Sequence, residues 1–76
     1  MTAKAYVLIE TQVGKTKQVV EAIRKLTGVA SVDSVTGPYD IIAIIQADNL
    51  NDIGILIVDK VHTTTGISRT VTCLAL

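Results

Sequence analysis

Two polar stretches of the chain carry residue types that could bind a small charged molecule. The first, TGPYD at residues 36–40, joins a glycine and the chain's single proline to a tyrosine and a carboxylate. The second, TTTGISRTVT at residues 63–72, concentrates hydroxyl groups around a glycine. The Asp40 carboxylate can accept hydrogen bonds from an ammonium group, and backbone amides near Gly37 and Gly66 can donate to a carboxylate. These are the needs of a free α-amino acid.

The hydroxyl groups of Thr70 and Thr72 would add donors for the ligand carboxylate, provided that the two stretches meet at one end of a sheet or across a contact between subunits. The same residues also have a purely structural interpretation. Gly-Pro is ordinary turn chemistry, and threonine is a common residue of edge strands. The residues alone leave both interpretations open.

Side chains for catalysis or metal binding are scarce. His62 is the only histidine and Cys73 the only cysteine, so the ligand spacings of a zinc site are missing. The run Gly14-Lys15-Thr16 lacks the preceding glycine of a phosphate-binding loop. Cys73 lies within a strand pattern, where we expect it to be a small buried apolar residue. We expect no metal and no cofactor.

The spacing of apolar residues predicts the elements that must position these groups. Apolar residues at 19, 20, 23 and 26 follow one helix face, and Leu50, Ile53, Ile57 and Val61 predict the inner stripe of a second helix capped by Asp48 or Asn49. Short β-rich runs bounded by glycine or polar residues predict strands. The predicted strands are 4–10, 29–35, 41–47 and 67–75, and the first helix is 15–26.

The two halves of the chain resemble each other, which predicts the fold. TGVASVDSV at residues 27–35 aligns with TGISRTVTC at residues 65–73. A doubled β-α-β unit in the order β-α-β-β-α-β is the split pattern of the α+β ferredoxin-like fold. We therefore expect a four-stranded antiparallel sheet with its first and third strands in the centre and both helices on one face.

The apolar content predicts association between copies of the chain. Hydrophobic residues make up 49% of the sequence and aromatic residues only 3%. AYVLI at residues 5–9 and IIAIIQA at 41–47 do not alternate in polarity, as a strand with one solvated face should. Since the helices cover one sheet face only, we expect a face-to-face sheet dimer. Ile55, Leu56 and Val58 widen the apolar surface of the second helix, which favours higher assembly. The alternative is a monomer with an apolar surface.

Charge and targeting features limit the classes of partner. The chain has 7 basic and 7 acidic residues, without the basic excess of a nucleic-acid-binding protein. It shows neither a signal peptide nor an apolar run of about 20 residues that would span a bilayer. We expect one domain over residues 1–76 in the cytoplasm, with no membrane or direct nucleic-acid contact.

Short motifs along nearly the whole chain resemble the effector-binding (RAM) domain of the leucine-responsive/asparagine-responsive (Lrp/AsnC) transcriptional regulators. The family's opening A-[YF]-V-L-I strand matches Ala5 to Ile9, and its L-x-G-V helix end matches Leu26 to Val29, with Thr27 in place of the usual proline. The V-x-G-x-[YF]-D motif matches Val35 to Asp40, and the final G-[VI] and T-x-T elements match Gly66 to Thr72.

This resemblance implies a ferredoxin-like subunit, a dimeric α/β barrel formed through sheet faces, and rings of such dimers. It also implies a small effector, usually an amino acid, held at contacts between subunits. The implied effector-binding residues are Thr36, Gly37, Pro38, Tyr39, Asp40, Ser68, Thr70 and Thr72.

The chain departs from the family pattern at its start. Full regulators carry an N-terminal helix-turn-helix, whereas this sequence begins at the first RAM strand. We therefore expect a stand-alone RAM domain without a DNA-binding domain, which senses an amino acid or co-assembles with full-length regulators and alters their state. Two alternatives remain: a small dimeric α/β-barrel enzyme, for which Tyr6, Tyr39 and His62 are the only candidate side chains, and an assembly module that binds no ligand.

Overall fold

The computed structural model describes residues 2–76 and confirms the predicted β-α-β-β-α-β order. The second helix leads directly into a π-helical turn over Ile57–Val61. The remaining elements are β1 (Ala3–Thr11), α1 (Thr16–Arg24), β2 (Val29–Ser34), β3 (Ile41–Ala47), α2 (Leu50–Leu56) and β4 (Ile67–Leu74).

The strands form one antiparallel sheet in the order β2-β3-β1-β4, so the first and third strands are central as expected. The register places Leu8 of β1 opposite Ile42 of β3 on one side and Val71 of β4 on the other. Residues directly opposite in an antiparallel pair point to the same sheet face. The register therefore assigns the paired strand residues to one of two faces, with irregularities near Ala30 and Ser68.

One sheet face is covered by both helices and carries the core. Helix α1 packs over β2 and β3, and α2 packs over β1 and β3. The core is aliphatic, as the composition requires, and burial of each Val or Ile side chain contributes roughly 1.5–3 kcal/mol. Its buried members are Ala5, Val7, Ile9, Val19, Val20, Ile23, Val32, Ile41, Ala43, Ile45, Ile53, Ile57 and Val61.

The start of α2 is fixed by a side-chain cap. Asn49 has an extended backbone, and its Oδ1 accepts a hydrogen bond of 2.9 Å from the backbone N–H of Asp52. This contact satisfies one of the free amides of the first helical turn. Of the two predicted caps, Asp48 and Asn49, the structure selects Asn49.

Two predicted core residues lie outside the core. Leu50 was expected in the inner stripe of α2 but is 56% exposed, because it is the first helical residue and its side chain lines a cavity with Ala3 and Tyr6 at the sheet end. Cys73 was expected to be buried but is exposed, because its pairing with Tyr6 places it on the sheet face that the helices do not cover.

The internal repeat reappears as matched close contacts at Gly28 and Gly66. Both have positive φ, at +97° and +99°, and the carbonyl of each accepts a 2.8 Å hydrogen bond from the other half of the chain. A Cβ on Gly66 would lie 3.0 Å from side-chain carbons of Lys15 and Val19. A Cβ on Gly28 would lie 3.0 Å from Leu56. Each glycine therefore lets one half pack against the helix of the other half.

Replacement of Gly66 by alanine should destabilise the protein by about 2 kcal/mol or more, since positive φ and steric contact both oppose a Cβ there. Gly14→Ala is the matched control, because Gly14 also has positive φ (+78°) but has no atom within 4 Å of a Cβ. That variant should lose only about 1 kcal/mol. Urea unfolding of both variants measures the difference, and equal losses would contradict the close-packing explanation.

Candidate functional site

The turn at residues 36–40 lies at the end of the sheet where β1 finishes and where β3 and β4 begin. The backbone N–H of Asp40 donates to the carbonyl of Ile9 at 2.9 Å, and the N–H of Val35 donates to the carbonyl of Asp40 at 2.9 Å. Thr36, Gly37 and Pro38 form the exposed tip of the turn. The turn is thus tied to the central strand at its base and open to solvent at its tip.

The Asp40 carboxylate links this turn to the neighbouring elements. Its Oδ2 accepts hydrogen bonds from the backbone N–H of Thr11 at 2.8 Å and from the Thr11 hydroxyl at 3.2 Å. The same hydroxyl lies 2.7 Å from that of Thr16, the first residue of α1. Both bonds to Asp40 use one oxygen, so among residues 2–76 its Oδ1 makes no hydrogen bond and remains able to accept one from a ligand.

Tyr39 contacts Arg69, a residue that the sequence analysis passed over. Arg69 Nη2 donates to Tyr39 Oη at 3.4 Å, and the guanidinium carbon lies 5.7 Å from the centroid of the tyrosine ring. Arg69 Nη2 also lies 3.7 Å from Glu10 Oε2, in accord with the pairing of these residues between β1 and β4. The sequence held a signal for this residue, since alternation along the strand predicted for residues 67–75 places Arg69 on the face opposite Thr70 and Thr72.

The other predicted residues of β4 lie apart from Tyr39. Thr70 and Thr72 pair with the buried residues Ile9 and Val7, so both point to the helix-covered face. The Thr70 hydroxyl lies 3.2 Å from His62 Nε2. The structure therefore brings the turn together with β4 through Tyr39 and Arg69, while the sheet separates the hydroxyls of Thr70 and Thr72 from that contact.

The sheet face opposite the helices carries an apolar patch, which we call the open-face patch. Alternation and register place on it Leu8, Ile42 and Ile44, which are half-buried, and Tyr6, Val71 and Cys73, which are exposed. Lys4 and Gln46 border it at one end of the central strands, and Glu10 and Arg69 border it at the other. It is thus an apolar surface with a polar rim.

Two concavities of the surface lie away from the turn. One, of about 700 Å³, lies at the opposite end of the sheet and is lined by Lys4, Tyr6 and Leu50 among others. A shallower one, of about 430 Å³, follows the outer side of α2 beside Gly54, Ile55 and Val58. Neither of these two concavities contains Tyr39, Asp40 or Arg69.

The part of the chain that the structure describes, residues 2–76, offers neither a metal-ligand cluster nor a helix that could span a membrane. Within that range, His, Cys, Asp and Glu side chains do not form a group of three or more that could hold a metal ion. The helices of the same range are too short and too polar to cross a membrane.

Comparison with known proteins gives a family match over nearly the whole chain. Residues 4–76 match the model of the Lrp/AsnC ligand binding domain. An uncharacterized HTH-type transcriptional regulator of Pyrococcus abyssi is 32% identical over 59 residues, which are 78% of this chain. The match covers 39% of that regulator, so the chain corresponds to part of a longer protein there.

Solved structures share the fold closely. TTHA0845 from Thermus thermophilus is 34% identical, has a TM-score of 0.92, and matches 97% of this chain and 92% of its own. A transcriptional regulator of Neisseria meningitidis, NMB0573, solved as a complex with L-Met, has a TM-score of 0.86 over 97% of this chain and 49% of its own. At 16% identity, that second likeness concerns the fold alone.

The sheet order and the family match agree with each other. The resemblance inferred from short motifs is confirmed over residues 4–76, and the fold neighbours have the same ferredoxin-like architecture. The chain belongs to the family of Lrp/AsnC ligand-binding domains that forms part of HTH-type transcriptional regulators.

Proposed function

We propose that this chain binds a free amino acid at contacts between its own subunits and thereby senses or modulates amino-acid-dependent transcription. The observation that carries the proposal concerns the two oxygens of the Asp40 carboxylate. Thr11 donates two hydrogen bonds to Oδ2, and Oδ1 has no hydrogen-bond partner in residues 2–76. A fold neighbour from Neisseria meningitidis was solved with L-Met, which supports an amino acid as the ligand class.

The proposed site uses the turn at residues 36–40 and the start of β4. Asp40 Oδ1 accepts a hydrogen bond from the ligand ammonium. The exposed backbone N–H groups around Gly37 donate hydrogen bonds to the ligand carboxylate. Tyr39 and Ser68 border the site, and Thr36 and Pro38 shape its rim. Because Thr70 and Thr72 point to the other sheet face, their proposed contacts require a ligand or a neighbouring subunit at the edge of β4.

Thermal unfolding in the presence of each standard L-amino acid tests this proposal. A ligand that binds only the folded protein stabilises it by about 2.7 kcal/mol at a concentration of 100 Kd, which raises the midpoint of unfolding. We expect a rise with one amino acid or a few related ones. An unfolding midpoint that none of the amino acids changes would contradict the proposal and favour an assembly module that binds no ligand.

Asp40→Asn should weaken amino-acid binding by about 1.5–3 kcal/mol, the range for a hydrogen bond to a charged group, because a neutral amide loses the charge attraction to the ligand ammonium. Isothermal titration measures the change. Thr11→Val is the matched control, since it removes the Thr11 hydroxyl from Asp40 and leaves the carboxylate in place. The control should lower stability and keep the affinity within about twofold, well below the loss in Asp40→Asn. Unchanged affinity in Asp40→Asn would remove that residue from the site.

The open-face patch supports dimerisation through sheet faces. Two copies related by a twofold axis would bury the same patch on each subunit, with Leu8, Ile42 and Ile44 at its centre. The apolar middle and the charged rim of Lys4, Glu10 and Arg69 follow the usual anatomy of a stable interface. In this arrangement the sheet of the second subunit covers the face that the helices of the first subunit leave open.

Val71→Glu should break this dimer. Val71 is 37% exposed in the single chain and lies on the open-face patch, so a carboxylate there would be buried without a partner in both subunits. We expect a loss of about 3 kcal/mol or more, which is on the order of a hundredfold in the dimer Kd. Sedimentation equilibrium measures it. Val13→Glu is the matched control, since Val13 is fully exposed in the turn after β1 and should leave the dimer unchanged.

The outer side of α2 supports a second contact that joins dimers into a ring. Leu50, Ile55 and Val58 are exposed there beside Gly54, which has no atom within 4 Å of a Cβ. This surface is apolar and indented. A contact made through it would leave the sheet faces free to form the dimer. A neighbouring dimer would bury it.

Val58→Glu should separate rings into dimers without splitting the dimers themselves. Val58 is 58% exposed beside α2, and a charge there opposes burial between dimers while the sheet faces stay intact. Size-exclusion chromatography with light scattering should report dimers for this variant and larger species for the native chain. Identical masses for the two proteins would show that α2 faces solvent.

Co-assembly with full-length regulators is the proposed route to transcription. The related regulators are longer than this chain, which matches 39% of the P. abyssi protein. Sheet-face pairing with such a subunit would give a mixed dimer of this chain and a full-length regulator. Mixing this chain with a full-length regulator of the family should yield complexes whose masses correspond to both chains together. The absence of such complexes after prolonged incubation would contradict the co-assembly proposal.

A further inference from the structure

We infer that Arg69 is the specificity residue that binds the effector carboxylate, an inference that rests on the proposed amino-acid site. The motifs that carry the family resemblance do not include this position, because it lies between the G-[VI] element and the T-x-T element. In the structure its side chain, on β4, contacts the turn at residues 36–40 through Tyr39.

The contacts of Arg69 orient its guanidinium without saturating it. A guanidinium has five N–H donors, and charge-assisted N–H···O⁻ bonds are usually about 2.7–2.9 Å long. The distances here are longer, 3.4 Å to Tyr39 Oη and 3.7 Å to Glu10 Oε2, and the side chain is 61% exposed. The ring of Tyr39 lies beside the guanidinium as a cation–π partner. Arg69 therefore has a defined position and unused donors.

The charges around Arg69 fit a zwitterion better than a simple anion. Glu10 lies on one side of Arg69, and Asp40 directly follows Tyr39 and bonds to Thr11, the residue after Glu10. Two carboxylates thus accompany one guanidinium at this end of the sheet. They repel a free anion, but they complement a ligand that carries an ammonium and a carboxylate on the same carbon. The pairing therefore selects for a free α-amino acid.

Strand geometry explains why Arg69 takes this role instead of the threonine hydroxyls. Successive side chains of a strand point to opposite faces. Thr70 and Thr72 pair with Ile9 and Val7 on the helix-covered face, and Thr70 already contacts His62. Arg69 lies on the other face, beside Tyr39. A carboxylate that approaches this turn at the rim of the open-face patch therefore lies beside the arginine.

Titration of the native protein with each standard L-α-amino acid, and with the carboxamide of whichever one binds, tests the inference. The native protein should prefer the acid over its amide, since only the carboxylate pairs with a guanidinium fork. In Arg69→Gln the affinity for the acid should fall by about tenfold or more, while that for the amide stays close to native. The ratio of the two affinities should therefore approach one.

Arg24→Gln is the matched control, since it removes the same charge from α1, where Arg24 donates to the carbonyl of Val32. It should keep the native preference for the acid. Arg69→Lys is a second variant that keeps the charge but loses the bidentate fork, and its ratio should lie between those of the native protein and Arg69→Gln.

Three outcomes would overturn the inference. If Arg69→Gln keeps the full native preference for the acid, the ligand carboxylate binds elsewhere and the amino-acid site itself stands. Arg69→Lys takes its place in this test if Arg69→Gln fails to fold. If the native protein binds acid and amide equally, no residue selects the carboxylate. If the native protein binds none of the amino acids, the inference and the proposed function fall together.

Discussion

The structure depends on one constraint, which is that two short helices cover only one face of a four-stranded sheet. The covered face carries the whole buried core. The other face carries Leu8, Ile42 and Ile44 in its middle, and these half-buried side chains gain their remaining stabilisation only if a second surface covers them. A chain of 76 residues has little stability to spare. In the proposed dimer, the association that completes the core also creates the subunit contacts at which a ligand could be held.

The chemistry of the turn is tied to this constraint through Asp40 and Arg69. Asp40 joins the start of β3 to the end of β1 through Thr11, so the same carboxylate serves the fold and faces the proposed ligand. Arg69 stands at the rim of the open-face patch, between Tyr39 and Glu10. A ligand at this point would touch both the turn and the edge of a sheet-face dimer. Ligand binding and assembly would then be coupled through shared residues, and each would strengthen the other by linkage.

Much of the fold could be predicted because it follows from local patterns. Periodicity located every helix and strand, and the repeat of TG at residues 27–28 and 65–66 marked two glycines that the structure finds in matched contacts. The predictions for Leu50 and Cys73 were wrong. The burial of Leu50 depends on where the helix meets the sheet, and that of Cys73 depends on which sheet face its strand pairing gives it. Neither property follows from the local sequence. Arg69 was missed for the same reason. Its partners Glu10 and Tyr39 are distant in sequence, and only the β1–β4 register brings them together.

Native mass spectrometry of the unmodified chain, alone and with each standard amino acid, reports assembly and ligand occupancy together. The proposal predicts even multiples of the 8.1 kDa subunit, with one amino acid retained in preference to the others. A single species at 8.1 kDa at micromolar concentration would contradict it, because the apolar sheet face would then be stable in water and the subunit contacts that hold the ligand would not exist.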